Sequence, residues 1–223
     1  MTGTLTEGRS SVSRQAITRI ADAVTELGAL ALAFGQVSRA TYLPDGRTPE
    51  SDTDHTVMLS WAACALAEAC APGLDVGLVA QMAIVHDMPE VYAGDVDTLV
   101  AGPEQMAAKA RREAAAIERL RGQFAGCLPW VTRAIDLYEA QEVPEARFVR
   151  ALDKSMPKIT HLLNGCVAIR ERGMDAARLR EFLDRQYADI AVYAGEFGGL
   201  MALTAELADR EVALLTEAEA AEK

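Results

Sequence analysis

The chain has 223 residues, half of them apolar and only 5% aromatic, and sets 22 Lys and Arg against 33 Asp and Glu for a net charge of −11. That length admits one compact domain with a full core, and a composition led by Ala and Leu excludes a fold built on alternating runs of Val, Ile, Thr and aromatics. So acidic a chain argues against nonspecific binding to DNA, RNA or anionic lipid, while a small anion remains admissible wherever basic side chains converge.

Residues 1–12 are polar, rich in Ser, Thr and Gly, and read as a flexible N-terminus. They lack the apolar core of a secretory signal, and no stretch approaches the roughly 18 consecutive apolar residues of a membrane span. A cytoplasmic protein is therefore expected. Cys64, Cys70, Cys127 and Cys166 form no CxxC pair and read as reduced, mostly buried thiols.

Ser13 can cap a helix running to about Phe34, with Ile17, Ile20, Ala21, Val24, Leu27 and Leu30 along one face. Residues 35–54 read as a long irregular loop with a functional role, carrying a Pro-Asp-Gly turn at 44–46. Asp54 looks like the cap of a helix from His55 to about Cys70, ended by Pro72-Gly73. Asp75 can cap the next, which carries VGLVAQMAIVHDM. Pro89 opens a short helical turn that Gly94 closes. The segment 103–120 is an amphipathic helix with Pro and Glu in its first turn, as the helix dipole favours. Further helices are predicted over 129–141, 144–170 and 175–197, with an acidic C-terminal helix over 200–223. No repeat or linker divides residues 13–223, and the pattern predicts a single all-α domain of bundle-like helices.

One stretch, IVHDMPEVYAGDV (84–96), threads His86, Asp87, Glu90 and Asp95 among apolar side chains. Burying such groups is costly unless they are paired or coordinate a metal, so the segment asks for a cation and for further ligands. The chain holds only three histidines, and of the other two His55 opens a predicted helix. Asp153 begins another apolar helical run. Two imidazoles and two carboxylates suit a borderline divalent ion such as Zn²⁺, Mn²⁺, Co²⁺ or Fe²⁺.

Taken singly, each residue has a plainer reading. His55 is a polar residue in a first helical turn, Asp87 caps the helix at Pro89, Glu90 favours that helix dipole, and Asp95 belongs to a turn. Asp153 caps its own helix or pairs with Lys154 or Lys158. For His161 the plainer reading wins.

The ordered set, a lone His, then His-Asp, then a distant Asp on an apolar helix, resembles the HD-domain phosphohydrolases. ESDTDHTVMLSWAACALA looks like that family's first-histidine helix, HDMPEVYAGDV like its HDxxEvxxGDi segment, and PEQMAAKARREAAAIERL like its next helix. The nearest branch is the HD-domain 5′-deoxynucleotidases, and the resemblance covers roughly residues 30–165. It implies that His55, His86, Asp87 and Asp153 hold one divalent metal ion. Relatives with two metals need further histidines, and none stands between His86 and His161. Such an ion lowers the pKa of a bound water and polarises phosphorus. Glu90 and Asp95 are then the candidates for catalytic proton transfer, taking the water's proton or giving one to the leaving alkoxide.

In that branch an Arg in the loop after the opening helix contacts phosphate, and Arg39, sixteen residues before His55, is the corresponding candidate. The family often places Trp next, near the sugar; here Ala40 follows, a departure that bears on any deoxyribose preference. Tyr42 is a candidate for part of that surface. Arg47, Lys109, Lys154 and Lys158 are secondary substrate-binding candidates, although each lysine singly reads as a solvated charge and the KARRE run as an exposed helix face.

The expected activity is release of phosphate from a nucleoside or deoxynucleoside 5′-monophosphate. The alternatives are attack at the α-phosphorus of a nucleoside triphosphate and a non-catalytic helical scaffold with a structural metal. A nucleotide substrate, no nucleic acid or membrane partner, and a homodimer built on the alanine-rich later helices complete the expectations.

Overall fold

A computed structural model describes residues 13–221; the N-terminal stretch 1–12, read as flexible, lies outside the described residues. The fold is all-α, as expected, with the addition of one small ribbon. Helix α1 (Arg14–Phe34) starts at Ser13, whose hydroxyl accepts from Ala16 N. Its apolar face is only partly covered: Leu30 and Phe34 are buried, while Ile17 and Val24 are each 52% exposed.

The segment expected to be irregular instead holds β1 (Ser38–Tyr42) paired antiparallel with β2 (Pro49–Ser51). Hydrophobic alternation cannot announce strands this short and polar. The ribbon depends on its turn, where Asp45 Oδ1 accepts from Arg47 N and Thr48 N and Gly46 N donates to Leu43 O.

Helix α2 (Asp52–Cys70) corrects a second expectation. Its cap is Ser51, and Asp54 closes a capping box by accepting from Ser51 N. That reciprocal arrangement satisfies two backbone donors, where Asp54 as the cap would satisfy one. Asp75 caps α3 (Val76–Val85) as expected. A turn then leads into α4 (Glu90–Ala93), which ends at Gly94 with φ 71°, a backbone conformation that favours glycine. Helices α5 (Pro103–Phe124) and α6 (Pro129–Ala140) follow.

The helix expected over 144–170 is three helices: α7 (Pro144–Asp153), α8 (Met156–Asn164) and α9 (Val167–Glu171). Pro157 lies in the first turn of α8 and has no N–H to extend α7, so the chain breaks just after Asp153. Gly165 and Cys166, both at positive φ, make the second break. Helices α10 (Ala176–Ala194) and α11 (Gly198–Ala221) complete the chain.

Helices α2, α3, α7, α10 and α11 share one core around Leu59, Val79, Met82, Phe148, Leu152 and Leu200. Each of these is essentially unexposed, and each such burial contributes roughly 1.5–3 kcal/mol. A second cluster, around Leu120, Phe124 and Ile135, joins α5 and α6 to the ends of α1 and α3. Gly199 sets how closely α11 approaches α2, since a Cβ there would lie 2.8 Å from Cys70 Cβ. All four cysteines are free, but only Cys166 is buried and the other three are half-buried, which corrects the expectation of mostly buried thiols. Among the described residues, no helix is long and apolar enough to cross a membrane.

Candidate metal centre

Three of the core helices deliver the candidate ligands. His55 stands in the first turn of α2, His86 and Asp87 occupy the turn leaving α3, and Asp153 is the last residue of α7. Because Leu59, Val79, Met82, Phe148 and Leu152 lock these helices together, residues far apart in sequence meet at one point. One donor atom from each of His55, His86, Asp87 and Asp153 lies within 4.8 Å of the others. His55 Nε2 is 2.9 Å from Asp153 Oδ1, and His86 Nε2 is 3.0 Å from Asp87 Oδ2.

These residues fit a cation on structural grounds. His86 Nδ1 lies 2.9 Å from Ala83 O, a bond that places the ring proton on Nδ1 and leaves the Nε2 lone pair facing the cluster. Although close to Asp87, Nε2 is buried and makes no hydrogen bond. Three further buried oxygens nearby have no hydrogen-bond partner: Glu50 Oε1, Asp52 Oδ2 and Glu90 Oε2. So many unspent acceptors in one pocket call for positive charge.

The titrations respond to the same crowding. Burial opposes charge on His55, but Asp153 and Glu50 outweigh it and raise the imidazole to about 9. Burial likewise pushes the Asp153 carboxyl up, yet Lys154, His55 and His86 hold it well below the usual range. Asp52 goes the other way: burial and the Asp87 charge lift it to about 6 against the pull of Arg39.

Asp87 does not cap α4, whose first turn carries no side-chain cap bond. Glu90 points inward instead, 3% exposed, with Oε1 accepting from Lys109 Nζ at 2.8 Å. Burial and the neighbouring Asp87 push Glu90 up to about 9 despite Lys109. Asp95 Oδ1 lies 3.9 Å from the same ammonium.

An open cleft lies beside the cluster, about 820 Å³ with its open solvent included. Asp87 and Asp153 line it, as do Glu90, Asp95, Arg39, Lys109, Lys154 and Lys158. The lysines at 109 and 158 are therefore not solvated surface charges. Lys158 is 3% exposed and the Lys109 side chain 15%, because α5 and α8 turn them inward. Nor is the KARRE run simply an exposed face, since Arg112 Nε donates to Ala93 O.

Two expected substrate residues stand elsewhere. Tyr42 does not line the cleft: its hydroxyl donates to Glu171 Oε2 at 2.8 Å, since the ribbon carries it toward α9. Arg47 sits in the exposed ribbon turn. His161 is outside the metal-ligand group, as its position in the chain implied. A second cleft, lined by Glu113, Glu139 and Arg150, also reaches His86, Asp87 and Asp153.

Sequence reasoning passed over Glu50, Asp52 and Arg172. Arg172 donates from Nε to Asp97 Oδ2 at 2.7 Å and from Nη2 to Ala40 O at 2.9 Å, tying β1 to the loop after α4. The acid density of Glu50-Ser51-Asp52-Thr53-Asp54 was the available signal for the first two; for Arg172 there was none.

A family model described as HD domain matches residues 35–194. The chain is similar in structure to a predicted metal-dependent phosphohydrolase from Magnetospirillum magnetotacticum, at 25% identity and a TM-score of 0.72, over 88% of this chain and 94% of that one. It also shares its fold with a conserved hypothetical protein from Pyrococcus furiosus, at 22% identity and a TM-score of 0.51, over 80% of this chain and 98% of that one. No curated protein sequence matches it.

Proposed function

The chain belongs to the HD-domain family, and from that premise we propose that it is a metal-dependent phosphohydrolase removing the 5′-phosphate of a nucleoside or deoxynucleoside monophosphate, as in the 5′-deoxynucleotidase branch. One observation carries the reading: the His55, His86, Asp87 and Asp153 cluster opens onto the same cleft as four cationic side chains. A structural metal would need neither the cleft nor Glu90.

His55, His86, Asp87 and Asp153 would hold one divalent ion. When bound, such an ion supplies Lewis acidity, polarising a phosphoryl group and acidifying water. The chain's own residues do the rest. Lys109, Lys154 and Lys158 offer charge-assisted contacts to phosphate oxygens along the cleft. Arg39 steadies Asp87 through a 2.8 Å bond and presents its remaining donors to the same space. Glu90, raised by burial and by Asp87, is placed to give a proton to the leaving alkoxide. Asp95, across Lys109, is the second carboxylate within reach of proton transfer.

A second reading, attack at the α-phosphorus of a nucleoside triphosphate, is supported by Ala40, which lines the cleft where the family often has a larger Trp and so leaves room for a longer phosphate chain. Product analysis separates them. Chelator-treated protein, resupplied with Mn²⁺ and offered nucleoside mono- and triphosphates, should release orthophosphate from the monophosphates. Pyrophosphate or triphosphate as the released product would favour the second reading, and no release from either would reject both.

A further inference from the structure

The proposed hydrolysis leaves one part of the cleft unused. Beyond Asp153 along α8, His161 meets Glu211 of α11, with His161 Nδ1 2.6 Å from Glu211 Oε1. The two residues are 3% and 1% exposed, and both line the cleft. Yet His161 Nε2 and Glu211 Oε2 have no hydrogen-bond partner. In the neutral tautomer that donates Nδ1–H to Glu211, Nε2 offers a lone pair on the far side of the ring, and Oε2 is a second unpartnered acceptor of the same pair. Buried polar atoms are seldom left unpaired without a functional reason.

The surroundings fit an organic group rather than a second phosphate. Leu179, Phe182 and Leu183 of α10 give this part of the cleft an apolar wall. Gln186 continues the same helix, and its Oε1 accepts from Lys158 Nζ at 2.6 Å. Lys158 also donates to Lys154 O at 3.1 Å, so it is fixed between the metal end and the His161 end. Two unpartnered acceptors against an apolar wall select a ligand carrying N–H or O–H donors on an otherwise apolar or planar body.

We propose that His161 and Glu211, walled by Phe182 and its neighbours, form the site that recognises hydrogen-bond donors on the non-phosphate end of the substrate. The inference rests on the nucleotide reading above and deepens it. Two parts of a nucleotide supply such donors, the exocyclic amino group of a base and the vicinal hydroxyls of ribose. Both are within the same chemistry, and the measurement below tells them apart.

Binding to the full chain in chelator, where metal-assisted turnover is suppressed, would be measured by calorimetry for three ligands: adenosine 5′-monophosphate, purine riboside 5′-monophosphate (no amino group) and 2′,3′-dideoxyadenosine 5′-monophosphate. The corresponding cytosine-series trio would be measured alongside. A site built around buried acceptors rejects analogues lacking the donor, so at least one deletion should weaken Kd by roughly tenfold or more. Weakening in the amino-deleted arm assigns the donors to the base, and weakening in the dideoxy arm assigns them to the sugar. Glu211→Gln, which replaces an acceptor with a donor, should erase most of that discrimination. Equal Kd values within both trios in the unmodified protein would overturn the proposal, as would unchanged discrimination in folded Glu211→Gln or no nucleotide binding at all. Hydrolysis of p-nitrophenyl phosphate with Mn²⁺ reports separately on the catalytic reading. If it is absent while the trios still discriminate, the recognition site stands and the phosphohydrolase reading fails.

Discussion

Arg39 Nη1 donates to Asp87 Oδ2 across 2.8 Å and to Asp52 Oδ1 across 3.1 Å. The candidate phosphate ligand is thus also the brace of a candidate metal ligand. Asp52 is fully buried and its other oxygen has no partner, so the guanidinium offsets charge that would otherwise stand alone. Arg39→Ala should therefore weaken divalent-ion binding by about 10–100-fold, the usual effect of removing a group that orients a ligand, and should raise KM as well. Metal titration by calorimetry checks this. Unaltered metal affinity would leave Arg39 with the phosphate role alone.

Glu90→Gln keeps the shape of the side chain and removes its transferable proton. With Lys109 Nζ at 2.8 Å still available as a hydrogen-bond partner, the variant should fold and retain metal. Its kcat should fall by roughly 10²–10⁴-fold. Normal turnover would transfer the proton role to Asp95.

Much of the centre could be read from the chain because its residue types are rare here. With three histidines in all, a pair of them ordered with His-Asp and a distant Asp stands out, and α7, which ends in Asp153, has strong apolar periodicity. What could not be read depends on contacts between distant segments. The β1–β2 ribbon is set by an Asp45-centred turn rather than by apolar alternation. The break after Asp153 was signalled by Pro157, but the apolar periodicity running through it masked the signal. Lys109 and Lys158 resembled surface charges because nothing local reveals that α5 and α8 face a cleft. The Glu211 partner of His161 lies 50 residues away, beyond any spacing rule.

Lys158 gives a pH-dependent test. Burial holds its ammonium down to about 8 from the ordinary 10.5, against the pull of Glu211 and Asp153. Below pH 8 both folded and unfolded chains carry the proton, and the folded state bears the full penalty. Between about 8 and 10.5 the unfolded chain keeps a proton that the folded chain has shed, so this contribution to stability rises with pH. Lys158→Met removes the penalty at the loss of the bonds to Gln186 and Lys154 O. It should gain roughly 1–2 kcal/mol at pH 7, with the gain shrinking as pH approaches 10.5. Thermal unfolding across that range measures it, and a difference independent of pH would contradict the assignment.

Tyr42→Phe tests the corrected position of that residue. Its hydroxyl bonds Glu171 at the surface and does not line the cleft. KM and kcat for a nucleoside monophosphate should both stay within about twofold, in keeping with a side chain that contributes nothing to transition-state binding. A several-fold rise in KM would return Tyr42 to the substrate.

The central claim is that His55, His86, Asp87 and Asp153 hold one divalent ion on which phosphate release depends. The most direct measurement is metal content by mass spectrometry alongside orthophosphate release during Mn²⁺ titration, in the unmodified chain and in Asp87→Ala. Metal binding to such a site requires its full ligand set. Activity should climb to a plateau at one ion per chain, and Asp87→Ala should lose both the ion and the activity. Phosphate release that persists in chelator, or a full ion retained by Asp87→Ala, would contradict the account.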